Sequence, residues 1–278
     1  MSSLRYWDSK LHLALTVFRF IMRQLTDRWS DAHLRRTYDT SAAHLLVVAP
    51  TERELAGLRP NRLSGFGVAE VGMGRAAADN LREILKTRRP QILLSIGFGG
   101  ALTRSMRTGD VVVSVEATAV QLPTQRIGMH PELTDEAMGA LITAGMRVTK
   151  GSTLTVPIPL MTGDDKQRHG ASTGASVVDM ETFWIAQEAD RAGVPLVTVR
   201  TVIDEMHHDL PDLVAHITAD GGQREWYHTL RAMKNPTTVG ALLPLATRSR
   251  KAVGALRDVV DALLPVLTKD APVRAAHR

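Results

Sequence analysis

Val177-Val178-Asp179-Met180-Glu181-Thr182, followed by Val194-Pro195-Leu196-Val197-Thr198-Val199-Arg200-Thr201-Val202-Ile203-Asp204, sets two carboxylates, Glu181 and Asp204, at two strand ends separated by one helix's worth of sequence. Between them Phe183 to Ala192 reads as a helix, because Ile185, Ala186 and Ala189 repeat at near-helical spacing and Gly193 and Pro195 end the pattern. Pro195 to Ile203 is a continuous apolar, β-branched run of the kind buried on both faces of an α/β sheet. Open α/β sheets bind small molecules at the carboxyl ends of their strands, so both acids stand where a ligand would lie.

Working outward, the pattern repeats. Leu45-Leu46-Val47-Val48-Ala49 is a short buried strand, after which Pro50-Thr51 opens a loop into Glu52-Arg53-Glu54-Leu55. Thr51 is placed to cap a helix start, with Glu54 three positions on as its capping-box partner. A strand over 67–71 leads through Gly72-Met73-Gly74-Arg75 into a helix over 76–87. A third strand over 91–96 is expected to end at Gly97-Phe98-Gly99-Gly100-Ala101, and Thr108-Gly109-Asp110 turns the chain into Val111 to Val115. Short buried strands alternating with helices predict an α/β fold: a single domain over 41–270 with a central mixed, largely parallel twisted sheet flanked by helices. That span includes an apolar helical tail over 226–267, and residues 1–40 read as a helical extension in front of it.

With 278 residues and 44% hydrophobic side chains, the chain has ample material for one core. There is no cysteine, which excludes disulfides and thiolate metal or iron–sulfur centres and suits a cytoplasmic location. No apolar run reaches the roughly 20 residues that span a bilayer. The extension carries seven Arg or Lys against four Asp, with Leu11, Leu15, Phe18, Met22 and Leu25 on one face. Over 4–38 this is compatible with peripheral contact at the inner face of an anionic membrane; packing against protein is the commoner fate of such a helix. Most of the excess positive charge lies in the extension and the tail, so nucleic acid is not the expected partner.

Several motifs have a bland reading beside the chemical one. Gly72-Met73-Gly74 has the local form of a dinucleotide fingerprint, but the next strand ends in Ile96-Gly97-Phe98 without the acid that would hold a ribose. What survives is a tight turn whose N–H groups approach an anion or a sugar, with Gly74 the candidate. Gly97 to Gly100 are either a plain turn or a place where backbone meets a flat ligand, with Gly99 a candidate substrate-binding residue. Phe98 and Phe183 offer faces for a planar base, although the chain has so few aromatics that the core needs them as well. Glu52 and Glu54 share the edge of Glu181 and Asp204; one caps a helix and the other is solvated, or one of them activates water. His207-His208-Asp209 invites a metal, but neighbouring histidines are expected to diverge, and no metal is expected. Asp164-Asp165-Lys166 reads as a charged helix start without chemistry.

Taken together, Ala49-Pro50-Thr51-Glu52-Arg53-Glu54, Gly72-Met73-Gly74, Gly97-Phe98-Gly99-Gly100-Ala101-Leu102, Thr108-Gly109-Asp110-Val111-Val112, Asp179-Met180-Glu181 and Arg200-Thr201-Val202-Ile203-Asp204 resemble the nucleoside phosphorylase and nucleosidase superfamily, in order, over roughly 44–215. The resemblance implies cleavage of the N-glycosidic bond of a purine nucleoside. Glu181, beside Met180, would bind the ribose hydroxyls and stay ionised; Asp204 would carry a proton near neutral pH and donate it to purine N7; Glu54, or else Glu52, would position the attacking water. Protonating the leaving base lowers the barrier to an oxocarbenium-like sugar as a general acid does in glycoside cleavage. No redox or metal cofactor is implied, inorganic phosphate is the one co-substrate in view, and a homo-oligomer, most simply a dimer, is expected.

Two departures stand out. The superfamily commonly keeps serine at the positions of Ile203 and Phe98, and its phosphorylase branches keep arginine at that of Ser95, so phosphate binding loses its usual contacts. Val156-Pro157-Ile158-Pro159-Leu160-Met161-Thr162 with Asp165-Lys166, Leu210-Pro211 and the apolar tail are similar to the hopanoid-associated branch, which makes an adenosyl lipid the favoured substrate. Branches acting on methylthioadenosine, adenosylhomocysteine or futalosine are the alternatives, and outside catalysis the alternative is a nucleoside-binding or membrane-associated scaffold that kept the fold, which the missing serines at Phe98 and Ile203 favour.

Overall fold

A computed structural model of the chain describes residues 44–55, 66–210 and 236–269, with the backbone alone over 236–246. The extension over 1–40, its proposed membrane contact over 4–38, and the start of the helical tail before 236 lie outside the described residues. The elements run β1 (Leu45–Ala49), α1 (Glu52–Leu55), β2 (Phe66–Glu70), α2 (Ala76–Thr87), β3 (Ile92–Ala101), β4 (Val111–Ala119), β5 (Leu122–Gly128), α3 (Pro131–Thr143), β6 (Val148–Thr155), α4 (Gly163–Thr173), β7 (Val177–Asp179), α5 (Thr182–Ala192), β8 (Leu196–Asp204) and α6 (Pro236–Leu267).

The eight strands form one mixed sheet in the order β2-β1-β3-β7-β6-β4-β5, with β8 bonded to both β3 and β4. Parallel pairs join β1 to β2 and β3, β3 to β8, and β6 to β4 and β7; β3–β7, β4–β5 and β4–β8 are antiparallel. The mixed, largely parallel α/β sheet read from the sequence is therefore present. The pairings also close a ring, β3-β8-β4-β6-β7 and back to β3, which the sequence did not suggest.

Period-2 alternation divides the core between the two faces of the sheet. Leu45, Val47 and Ala49 face Leu94, Ile96, Val197 and Val199 together with α3 and α6. Leu46 and Val48 face the other way, onto Ala77, Ala78 and Leu81 of α2 and Phe183, Ile185, Ala186 and Ala189 of α5. From α6, Leu256, Val259, Val260, Leu263, Leu264 and Leu267 are buried in the first layer. Burying each such side chain contributes roughly 1.5–3 kcal/mol. The apolar face of this tail, one of the features similar to the hopanoid-associated branch, is thus accounted for by packing on the sheet.

One expectation about the chain trace needs correction. Gly97-Phe98-Gly99-Gly100 is not a turn: β3 continues through it to Ala101. Here the strand is flanked by β8 and crossed by β7, with Gly100 registered to both Val178 and Asp204. A Cβ at Gly99 would lie 2.5 Å from Val177 Cγ2 and 3.0 Å from Val178 O. Glycine is required because three strands meet, so Gly99 is explained by strand packing.

Candidate active site

Glu181 sits at the start of α5 and is nearly buried. Its Oε1 accepts a 2.7 Å hydrogen bond from the N–H of Gly74. That N–H is aimed by the turn between β2 and α2, in which Gly72 and Gly74 adopt φ of +81° and +60°, a region open to glycine at little cost. The anion approached by this glycine turn is thus a carboxylate of the chain itself. Burial, helped by the neighbouring charge of Asp179, pushes the Glu181 carboxyl up to about 8, against the opposing pull of the Gly74 N–H and the Arg200 charge. Glu181 was expected to stay ionised; in the free site it is instead held toward its protonated form, because its environment is dry and shared with a second acid.

That second acid is fully committed. Asp179 accepts from Arg200 Nε at 2.7 Å, from the Thr155 hydroxyl at 2.8 Å and from the Thr182 N–H at 3.1 Å, and the Thr182 hydroxyl also meets it. Arg200, wholly buried inside the apolar run of β8, spends its remaining donors on the Ser95 hydroxyl at 3.1 and 3.2 Å and on the carbonyls of Ser95 and Val199. Buried charges persist in proteins when paired and bonded in this way. Ser95, the position where arginine would serve phosphate, is occupied in holding Arg200.

Glu54 lies against the same guanidinium. Its Oε2 accepts from the Thr51 N–H at 2.9 Å and from the Thr51 hydroxyl at 2.5 Å, and Oε1 faces the Phe98 N–H at 3.4 Å. It is therefore both the capping partner read from the sequence and a site acid. Burial raises its carboxyl above the ordinary value, while the Thr51 bonds and the Arg200 charge pull the other way. Its charge also acts on Glu181. Glu52, on the first turn of α1, is half-buried.

Asp204 ends β8, its carboxylate lying over Gly100, where an added Cβ would meet its oxygens at 3.1 and 3.2 Å. Its Oδ2 forms an ion pair with Nζ of Lys166, a side chain 1% exposed on α4. Lys166 Nζ also donates to the carbonyls of His208 at 2.7 Å and Glu205 at 3.3 Å. Local pattern assigned this lysine no chemistry: it reads as part of a charged helix start and of the stretch similar to the hopanoid-associated branch.

The remaining candidates divide. Phe98 is half-buried, with the Arg53 guanidinium 5.8 Å from its ring centre. Met180 is half-buried and packs beside Leu102, Leu154 and Val178. Phe183 is 0% exposed, edge-on to Trp184 within the core, and its ring presents no face to a base. His207 and His208 do not diverge: their rings lie 4.2 Å apart, with Glu205 within reach. Glu205, however, already accepts from the Thr108 N–H and pairs with Arg107, and the surrounding charges are those of Arg107, Lys166 and Arg248, the wrong sign for a metal ion. A cleft of about 660 Å³ beside this turn is lined by Arg104, Arg107, Asp164, Gln167 and His207 and includes none of the three site acids.

A mixed α/β sheet that gathers three buried carboxyls at the ends of its strands is a small-molecule enzyme scaffold in form. The chain belongs to the Phosphorylase superfamily, which it matches over residues 65–229. It is 29% identical over 154 residues to a 5'-methylthioadenosine/S-adenosylhomocysteine nucleosidase of Staphylococcus aureus, a match covering 49% of this chain and 67% of that protein. Among solved structures it is similar to the futalosine hydrolase of Helicobacter pylori (TM-score 0.57, 14% identity, 80% of this chain and 98% of that one). It is also similar to the methylthioadenosine/adenosylhomocysteine nucleosidase of Campylobacter jejuni (TM-score 0.55, 13% identity, 73% and 98%). At these identities the structural likeness concerns the fold.

Proposed function

We propose that the protein hydrolyses the N-glycosidic bond of an adenine nucleoside. The observation that carries this reading is the grouping of Glu54 and Glu181 about Arg200, with Asp204 at the end of the same strand. Glu181, steered by Gly74, takes the ribose hydroxyls; binding them lets its carboxylate accept hydrogen bonds that the dry free site does not supply. Glu54, whose carboxyl burial raises above its ordinary value, stands as the base that receives a proton from water. Asp204 faces the leaving base.

Water is favoured over phosphate on one further ground. The Arg200 guanidinium is consumed by Asp179 and Ser95, and Ile203 and Phe98 bring no hydroxyl where the superfamily commonly has one. For the 5′ substituent, the lipid reading loses its structural motive once α6 is seen packed on the sheet, while the Staphylococcus relative is named for methylthioadenosine and adenosylhomocysteine. A thioether at the 5′ position is therefore preferred. The test is mass spectrometry of products from methylthioadenosine, adenosylhomocysteine and an adenosyl lipid, each with and without phosphate in ¹⁸O-water. Adenine plus an ¹⁸O-labelled free sugar is expected; a sugar 1-phosphate would overturn hydrolysis.

A further inference from the structure

The geometry points to Lys166 as the group that supplies Asp204 with the proton given to the leaving base. The inference rests on the hydrolase reading above. Lys166 approaches from α4, an element that contributes none of the three acids, and its ammonium touches Asp204 Oδ2 with both side chains almost wholly buried. Among the described residues Oδ2 accepts no hydrogen bond, and its contact with Lys166 is an ion pair. The side chain ahead of Asp204 is Ile203, so the hydroxyl that would commonly stand there is missing, and an ammonium from a different element has taken up the carboxylate.

An ammonium offers three N–H groups; two have acceptors here, the His208 and Glu205 carbonyls, and the Asp204 carboxylate is its ion-pair partner. The two carbonyls fix Nζ in place against the carboxylate. Further stitching holds α4 to this turn: Gly163 N–H donates to Asp209 Oδ1 at 2.8 Å, and Leu210 N–H to Met161 O at 2.8 Å. The pair is thus one charge-neutral unit holding one transferable proton. As the C1′–N9 bond breaks, its electron pair goes to the base. The base takes a proton from Asp204, and Asp204 takes one from Lys166, which becomes the neutral amine. Water gives its oxygen to C1′ and its proton to Glu54, and solvent later returns the proton to Lys166.

Lys166 is a positioning residue in this scheme, and the two carbonyl bonds mean that a purely structural role must be separated from it. Wild type, Lys166→Met, Lys166→Arg and Asp204→Asn are compared on methylthioadenosine and on the 4-nitrophenyl riboside carrying the same 5′ thioether, whose phenolate leaves without a proton. The expected result is a loss of kcat of about 10²–10⁴-fold in K166M and D204N on methylthioadenosine with KM little changed. Nitrophenyl riboside hydrolysis should stay within a few-fold of wild type, and K166R should keep a measurable part of the kcat. In K166M/D204N the two losses should not multiply, as for groups acting as one unit. K166M with wild-type kcat on methylthioadenosine would overturn the inference, and so would equal loss on both substrates together with a lowered melting temperature, which assigns Lys166 to clamping the turn. Wild-type protein that releases adenine from no adenosyl substrate overturns the hydrolase reading itself, a separate outcome.

Discussion

Gly74 reaches across 107 positions of sequence to donate its backbone N–H to Glu181 Oε1 at 2.7 Å, so the acid assigned to the sugar is aimed by a glycine turn on another element. A Cβ at Gly74 would meet nothing within 4 Å; the cost of adding one lies in its φ of +60°. Gly74→Ala should therefore lose about 1–2 kcal/mol, a fall of a few degrees in melting temperature. If Glu181 holds the ribose, KM should rise about tenfold with kcat far less affected, an interaction on the order of 1.4 kcal/mol. Steady-state kinetics beside a thermal melt check this, and an unchanged KM would detach Glu181 from substrate.

Glu181→Gln separates stability from function. The Glu181 carboxyl rises from its ordinary 4.5 to about 8 on folding, so its protonated form is the one the fold favours. Its favourable contribution is complete below about 4.5, declines as pH rises, and is lost above about 8. Glutamine keeps an oxygen for the Gly74 N–H and never ionises. The variant should melt higher than wild type at pH 9, differ little at pH 5, and bind nucleoside poorly. Melting curves over pH 5–9 decide it, and parallel profiles for the two proteins would refute the burial argument.

How much of this was legible beforehand follows from the range of the interactions. The buried runs of β1 and β8, the spacing of α5 and the cap at Thr51 are local patterns, and all appear in the fold. The expected end of β3 at Gly97 to Ala101 fails because glycine carries the same local signal at a strand end and in a crowded strand, and only the crossing of β7 distinguishes them. Arg200 to Asp179, 21 residues apart, and Lys166 to Asp204, 38 apart, are pairings that no local pattern encodes. The apolar face of α6 was visible, but not that the sheet covers it.

Arg200 is where a single change should damage the fold most. Arg200→Met leaves Asp179 buried, with the two threonines as its remaining side-chain donors. Removing one partner of a buried pair costs about 3–5 kcal/mol, or roughly 6–20 °C in a domain of this size. Combining it with Asp179→Asn should recover part of the loss, because the stranded charge is then gone. A chemical denaturation series on the two single variants and the double variant measures the coupling, and simple additivity would mean that the ion pair is not what holds β8 to β7.

Glu52 and Glu54 are two residues apart on the same four-residue helix, yet their surroundings differ. Glu54 is 7% exposed, anchored by Thr51 and set beside Arg200, whereas Glu52 is only half-buried. A base that takes a proton from water in the transition state is worth about 10²–10⁴-fold in kcat, so Glu54→Gln should lose that much. Glu52→Gln should stay within about twofold of wild type, the ordinary scale of a change at a solvated position. Glu54→Gln also preserves an acceptor for the Thr51 N–H, so its melting temperature should hold while activity falls. Single-turnover adenine release from both variants settles the choice. A dead Glu52→Gln beside an active Glu54→Gln would move the base to the other carboxylate and break the link between burial at Arg200 and catalysis.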